Sequence, residues 1–162
     1  MARNSEPAGI KTIAKNKKAR HDFEIFDTWE AGLVLLGSEV KALRDGRVNM
    51  GDSFGEIRKG EAWLCKMHIG PYEMANRENH DPFRRRKMLL NRREIRKILP
   101  RIEERGLTLV PLKLYFKKGM VKVEIGLGRG KKVHDKRDSK AKKDVDRRIA
   151  RELGRRDRSG RD

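Results

Sequence analysis

The chain has 162 residues, with 42 Lys and Arg against 24 Asp and Glu, a formal charge of +18. A neutral, self-contained globule is excluded by that balance, and a hydrophobic fraction of 36% leaves material for one core rather than two. No apolar run approaches the roughly 20 residues of a spanning helix, and the opening Met1-Ala2-Arg3-Asn4-Ser5-Glu6-Pro7 lacks a secretory apolar stretch, so a cytoplasmic location is expected.

Leu, Ile, Val and Phe are concentrated in the middle, with 2 in residues 1–20, 31 in residues 21–130 and 4 in residues 131–162. Burial of apolar surface must offset the entropy of ordering, so the expected organisation is a basic N-terminal arm (1–20), a folded domain (21–130) and a basic C-terminal tail (131–162). The three segments carry net charges of +5, +6 and +7, and such self-repulsion is ordinarily relieved by a polyanion. Nucleic acid fits that description better than an anionic membrane.

Along the domain, Phe23 and Ile25 alternate with acids. A turn signal at Glu30-Ala31-Gly32 precedes Leu33-Val34-Leu35-Leu36, which predicts two strands of a hairpin or meander. Ser38 can cap a short helix over 39–45 that Gly46 would end. Residues 52–57 and 62–69 read as strands around the turn Arg58-Lys59-Gly60-Glu61, and residues 70–82 as a long loop. Asn91 can cap a helix with Ile95, Ile98, Leu99 and Ile102 on one face. Pro100 predicts a break into two helices, about 92–98 and 100–105, with Gly106 as the stop. Residues 108–117 alternate Leu112, Leu114 and Phe116 with Lys113, Tyr115 and Lys117. A Lys118-Gly119 turn then leads to Val121, Val123 and Ile125 on one strand face.

The expected fold is therefore mainly β, an OB-like antiparallel β-barrel with short inserted helices. In the tail, Ala141, Val145, Ile149 and Leu153 recur every four residues, with Asp138 or Ser139 as cap and Gly154 as stop. A stripe this narrow cannot hold a helix on a full core, so the tail is expected to be disordered when free and helical on binding.

Nothing in the chain assembles a catalytic or metal centre. The single Cys65 sits in the apolar segment Ala62-Trp63-Leu64-Cys65, and His21, His68, His80 and His134 share no ligand spacing with it. No serine lies in a nucleophile elbow, and Gly126-Leu127-Gly128-Arg129-Gly130 leads into a lysine-rich tail rather than a packed helix. No enzyme, no metal and no cofactor are expected. Two cationic blocks, Asn16-Lys17-Lys18-Ala19-Arg20-His21 and Phe83-Arg84-Arg85-Arg86-Lys87, are candidates for phosphate contacts, and with few aromatics the expected target is RNA shape rather than stacked single strands.

At these residues the sequence resembles the SsrA-binding protein family, also called small protein B. The shared blocks include Asn16 to His21, Glu30-Ala31-Gly32, Gly37-Ser38-Glu39-Val40-Lys41-Ala42-Leu43-Arg44, His68-Ile69-Gly70-Pro71-Tyr72, Asn79-His80-Asp81-Pro82-Phe83-Arg84, Arg86-Lys87-Met88-Leu89-Leu90, Thr108-Leu109-Val110-Pro111 and Gly130-Lys131-Lys132-Val133-His134-Asp135-Lys136-Arg137. The resemblance implies binding of the transfer-RNA-like domain of transfer-messenger RNA and its delivery to stalled ribosomes, probing the vacant decoding site and messenger channel with the tail. It implies RNA-binding roles for Glu30, Leu89, Asn91 and Gly130, supported by Asn16, Lys17, Lys18, Arg20 and His21. Lys131, Lys132, His134, Asp135, Lys136 and Arg137 are implied at the decoding site. Implied partners are transfer-messenger RNA, the small-subunit ribosomal RNA and, through the RNA complex, translation elongation factor Tu, with the protein a monomer. A generic ribosome-associated binder of structured RNA is the alternative reading.

Overall fold

Strand formation follows the β-branched and aromatic residues, and the turns between strands follow the backbone angles available to them. The computed structural model describes residues 8–159, without the side chains of 76–78, 133–135 and 155–159. Its contacts divide the chain into a unit ending at Gly130 and a second beginning at Lys131.

In the first unit the strands are β1 (Ile10–Lys15), β2 (Phe23–Leu33), β3 (Val48–Asn49), β4 (Phe54–Arg58), β5 (Glu61–Cys65), β6 (His68–Ile69), β7 (Arg86–Leu89), β8 (Thr108–Lys117) and β9 (Met120–Gly130). Helices α1 (Lys17–Asp22), α2 (Gly37–Arg44) and α3 (Arg92–Arg105) are set between them. Pairing runs β8-β4-β5-β7-β2-β9 and returns to β8, so the main sheet closes into a ring, with β1 pairing to residues 113–117 of β8 beyond the point where β4 meets it at Leu109. The β4–β5 and β8–β9 hairpins turn at Lys59-Gly60 and Lys118-Gly119, where all four residues have positive φ, as tight two-residue loops of this kind require.

The apolar interior of the ring holds Leu64, Met67, Met88, Leu109, Leu114, Val123, Ile125 and Leu127. A second cluster joins Ala19 of α1 to Val110, Leu112, Phe23 and Ile25. Register shifts between Pro111 and Lys113 on β8 and between Ile25 and Asp27 on β2 explain the two layers. A bulge changes which parity of residue faces inward. Leu112 therefore joins the α1 layer while Leu114 lies in the ring, although strict alternation predicted one face for both. Close approach of β2 to β9 depends on Gly128, where a Cβ would come within 2.4 Å of the Glu24 carbonyl oxygen.

Several predicted boundaries are corrected. The Glu30-Ala31-Gly32 segment is no turn: β2 is one 11-residue strand, pairing Ala31 with Val123 and Gly32 with Lys122 and Leu89. Gly32 is small because the Leu89 side chain lies over it, 3.3 Å from where a Cβ would be. Pro100 does not split α3, which is continuous through it. Pro100 and Arg96 are both exposed, so water can satisfy the Arg96 carbonyl that proline leaves without a donor. The helix is fixed at its ends by Glu94, which accepts from the Asn91 N–H at 3.0 Å, and by Gly106 at φ +63°, while Ile98 is buried in the core. Residues 10–20, read as arm, form β1 and α1 of the first unit; residues 1–7 lie outside the described residues.

Ser38 does not cap α2. Its hydroxyl bonds His80 Nδ1 at 2.9 Å, and His80 Nε2 lies 2.9 Å from the Ile69 carbonyl. These contacts, with two hydrogen bonds between Asn79 and the Tyr72 backbone, pin the 70–82 loop, which itself includes a 3-10 turn over Glu73–Glu78. The second unit is one helix, α4 (Val133–Ser159). It begins before the predicted Asp138 or Ser139 cap and runs through Gly154, which lacks the left-handed φ of a helix stop. Among the described residues no helix is long and apolar enough to cross a membrane.

Candidate RNA interface

Asn16 sits where β1 ends and is buried. Its Oδ1 accepts from the Ala19 N–H at 3.1 Å, capping α1, while Nδ2 donates to the Met50 carbonyl at 3.1 Å and to the Pro111 carbonyl at 2.9 Å. Its backbone N–H donates to Leu112 at 2.8 Å. Both hydrogens of the amide and its oxygen are thereby engaged inside the chain, so Asn16 places the cationic helix rather than offering a polar group outward. On that helix Lys17 is exposed, Lys18 pairs with Asp52 at 2.9 Å, Arg20 lies 3.8 Å from Glu124, and His21 Nδ1 lies 3.0 Å from Asp22.

The second basic block is corrected more sharply. Arg86 is wholly buried, its Nε ion-paired to Glu39 and one terminal nitrogen donating to the Met67 carbonyl at 2.6 Å. Arg84 pairs with the other Glu39 oxygen at 2.5 Å, Arg85 with Glu56 at 3.3 Å and Lys87 with Glu61 at 2.9 Å. Burial alone would raise the Glu39 pKa, but the Leu36 N–H and the two guanidinium groups hold it below the ordinary carboxylate value. Arg86, with Arg84 beside it, is therefore spent on folding through the buried Glu39, while Arg85 and Lys87 hold only exposed ion pairs at the surface.

Glu30 lies in mid-strand on β2 with its side chain 39% exposed. Tyr115 donates its hydroxyl to Oε2, and Lys117 Nζ lies 3.2 and 3.3 Å from the two oxygens. The Tyr115 hydroxyl is the main reason Glu30 is held below the usual carboxylate range, with Lys117 and Lys122 adding to it. Tyr115 is buried, with Lys113 Nζ 5.5 Å from its ring centre, and burial followed by Glu30 pushes its phenol upward. The sequence shows Lys113, Tyr115 and Lys117 only in alternation with the apolar residues of β8 and points to no role for them. Their alternation across the Lys118-Gly119 turn from Lys122 was the available signal.

Leu89 is 55% exposed, so its side chain stands outside the core. It lines an open groove with Lys59, Lys87, Leu90, Arg92 and Arg96. Asn91 is exposed at the start of α3. Gly130 ends β9 opposite Phe23, and a Cβ there would meet nothing within 4 Å. The first-unit candidates thus lie along β2. Glu30, Leu89 and Asn91 stand toward its Leu33 end, and Gly130 with the α1 cations toward its Phe23 end. At about 3.3 Å per residue they are spread over roughly 30 Å.

In the second unit Lys131 Nζ lies 3.4 Å from Ser139 Oγ, and Lys132 and Arg137 are exposed. Lys136 bonds the Lys132 carbonyl through its N–H at 3.1 Å. The side chains of His134 and Asp135 lie outside the described residues. Val145, Ile149 and Leu153 are each more than half exposed.

Known proteins resemble this chain over most of its length. The family model described as SmpB protein matches residues 13–155. The chain is 57% identical over 141 residues to the SsrA-binding protein of Geobacillus thermodenitrificans, covering 87% of this chain and 91% of the relative. It is 54% identical over 145 residues to that of Geobacter sulfurreducens, covering 90% and 95%. A solved structure described as "tmRNA-SmpB: a journey to the center of the bacterial ribosome" matches with a TM-score of 0.63 and 48% identity, over 78% of this chain and 87% of that one.

Proposed function

The chain belongs to the SmpB family of SsrA-binding proteins, and from that membership we infer that it binds SsrA, the transfer-messenger RNA, and acts with it on the ribosome in trans-translation. The observation that carries this is the extent of the likeness: more than half of the aligned positions are identical across 87% of the chain, spanning the folded unit and entering the tail.

In our reading the closed antiparallel ring is an OB-like barrel that grips folded RNA along β2. Glu30, Leu89 and Asn91 contact it at one end, and Gly130 with Lys17, Lys18, Arg20 and His21 at the other. A strip of that length spans several phosphates, which suits recognition of RNA shape over a single base step. Gly130 suits close approach of an RNA backbone, since no neighbour in the chain requires a glycine there.

The tail acts separately. Disordered when free, it folds as a helix in the empty decoding site and messenger channel. The ordering cost makes engagement conditional on vacancy, because messenger in the channel excludes it. Lys131, Lys132, Lys136 and Arg137 neutralise phosphates, His134 stacks on a ribosomal base, and Asp135 orients the neighbouring cations. Exposed Val145, Ile149 and Leu153 support this, since a helix with its apolar stripe in water lacks a core of its own. The protein works in the cytoplasm as a non-catalytic monomer, meeting elongation factor Tu through the RNA.

Competition between transfer-messenger RNA and transfer RNA for the purified protein tests the reading. Preference for transfer-messenger RNA, and its co-purification from cells, is the expected result. Equal competition would favour a generic binder of structured RNA.

A further inference from the structure

The Glu30 carboxylate stands where repulsion from phosphate should make it a liability on an RNA-binding face. Around it the sheet is cationic: Lys117 holds it directly, Lys122 lies opposite Tyr115 on β9, and Lys113 covers the Tyr115 ring. Two features separate Glu30 from an ordinary surface acid. Its Oε2 receives a hydroxyl from a tyrosine that is itself only 6% exposed, and its side chain remains 39% open to solvent. An ionised carboxylate offers about four acceptor directions. The contacts with Tyr115 and Lys117 leave acceptor capacity on the exposed side.

We propose that Tyr115 is a positioning residue for RNA recognition, holding Glu30 at a fixed angle to the sheet so that its remaining lone pair accepts from a base N–H donor of an unpaired nucleotide. This rests on the reading of Glu30 as an RNA contact and gives that contact a chemistry. The ligand group is a donor edge, such as the exocyclic amine of guanine or cytosine, while Lys113 and Lys122 take the phosphates on either side. Tyr115 is too buried to reach RNA, so its influence passes through Glu30. Ionisation of Glu30, favoured by Tyr115, Lys117 and Lys122, keeps the group acceptor-only and strengthens each bond it makes.

The test is a double-mutant cycle on the full chain, with Glu30→Gln, Tyr115→Phe and the pair, reading affinity for transfer-messenger RNA alongside the melting temperature. Each single change is expected to weaken binding by about tenfold, the loss of one charge-assisted contact, and the pair by no more than either alone. Lys117→Met provides a second arm should Tyr115→Phe fold poorly, and its loss is expected to shrink in the Glu30→Gln background.

Losses that multiply in the pairs, or Glu30→Gln weakening binding while a folded Tyr115→Phe does not, would overturn the positioning role alone. Unchanged binding by Glu30→Gln would overturn the Glu30 contact and the positioning role with it.

Discussion

Asn16 donates its side-chain amide to the carbonyl of Pro111, 95 positions away, at 2.9 Å. The acceptor lies at the β8 bulge, where the ladder changes register, and the same amide reaches Met50 while its oxygen caps α1. One buried side chain thus ties β8, the segment before β4 and the cationic helix together.

Asn16→Ala should therefore lower stability by about 2–4 kcal/mol, combining a lost cap with carbonyls left unsatisfied. RNA affinity should fall with it, because α1 loses its seat. Lys17→Ala should weaken RNA binding modestly with no change in stability. Urea unfolding beside RNA titration separates the two; a fully stable Asn16→Ala that binds RNA poorly would show direct contact instead.

Glu39 is enclosed by Arg84 and Arg86, and removing its charge leaves a buried guanidinium without a counter-ion. Glu39→Gln should cost about 3–5 kcal/mol, measured by chemical denaturation. The folded-state pKa of Glu39 lies below its unfolded value near 4.3. Its contribution is therefore present above that unfolded value and is lost as pH falls through the folded one. A stability titration below about pH 5 should fall less steeply in Glu39→Gln than in the parent. Equal slopes would contradict this assignment.

Gly130→Ala and Asn91→Ala separate contact from folding. A Cβ at Gly130 meets no atom within 4 Å, so the melting temperature should stay unchanged while RNA affinity drops several-fold. Asn91 keeps its backbone hydrogen bond to Glu94 when truncated, so at most a modest loss of helix stability, about 1 kcal/mol, is expected beside a larger loss of binding. Parallel losses of stability and affinity would give both residues a folding role.

Much of the sheet was legible because its information is local. Lys118-Gly119 between alternating strands specifies the β8–β9 hairpin, and Lys59-Gly60 specifies β4–β5. What escaped depended on partners distant in sequence. Gly32 reads as a turn until Leu89 lies across it, and Pro100 reads as a break until its solvent exposure is known. The 84–87 cations look free until Glu39, Glu56 and Glu61 arrive beside them. Tyr115 shows the same limit: strand alternation gives its face, but only the pairing of β2, β9 and β8 brings it to Glu30.

Removing residues 131–162 and measuring two activities of the remaining unit tests the division of labour most directly. Near-parental affinity for transfer-messenger RNA is expected, together with loss of tagging on ribosomes stalled at truncated messages. A comparable collapse of RNA affinity, or tagging that persists without the tail, would contradict that division.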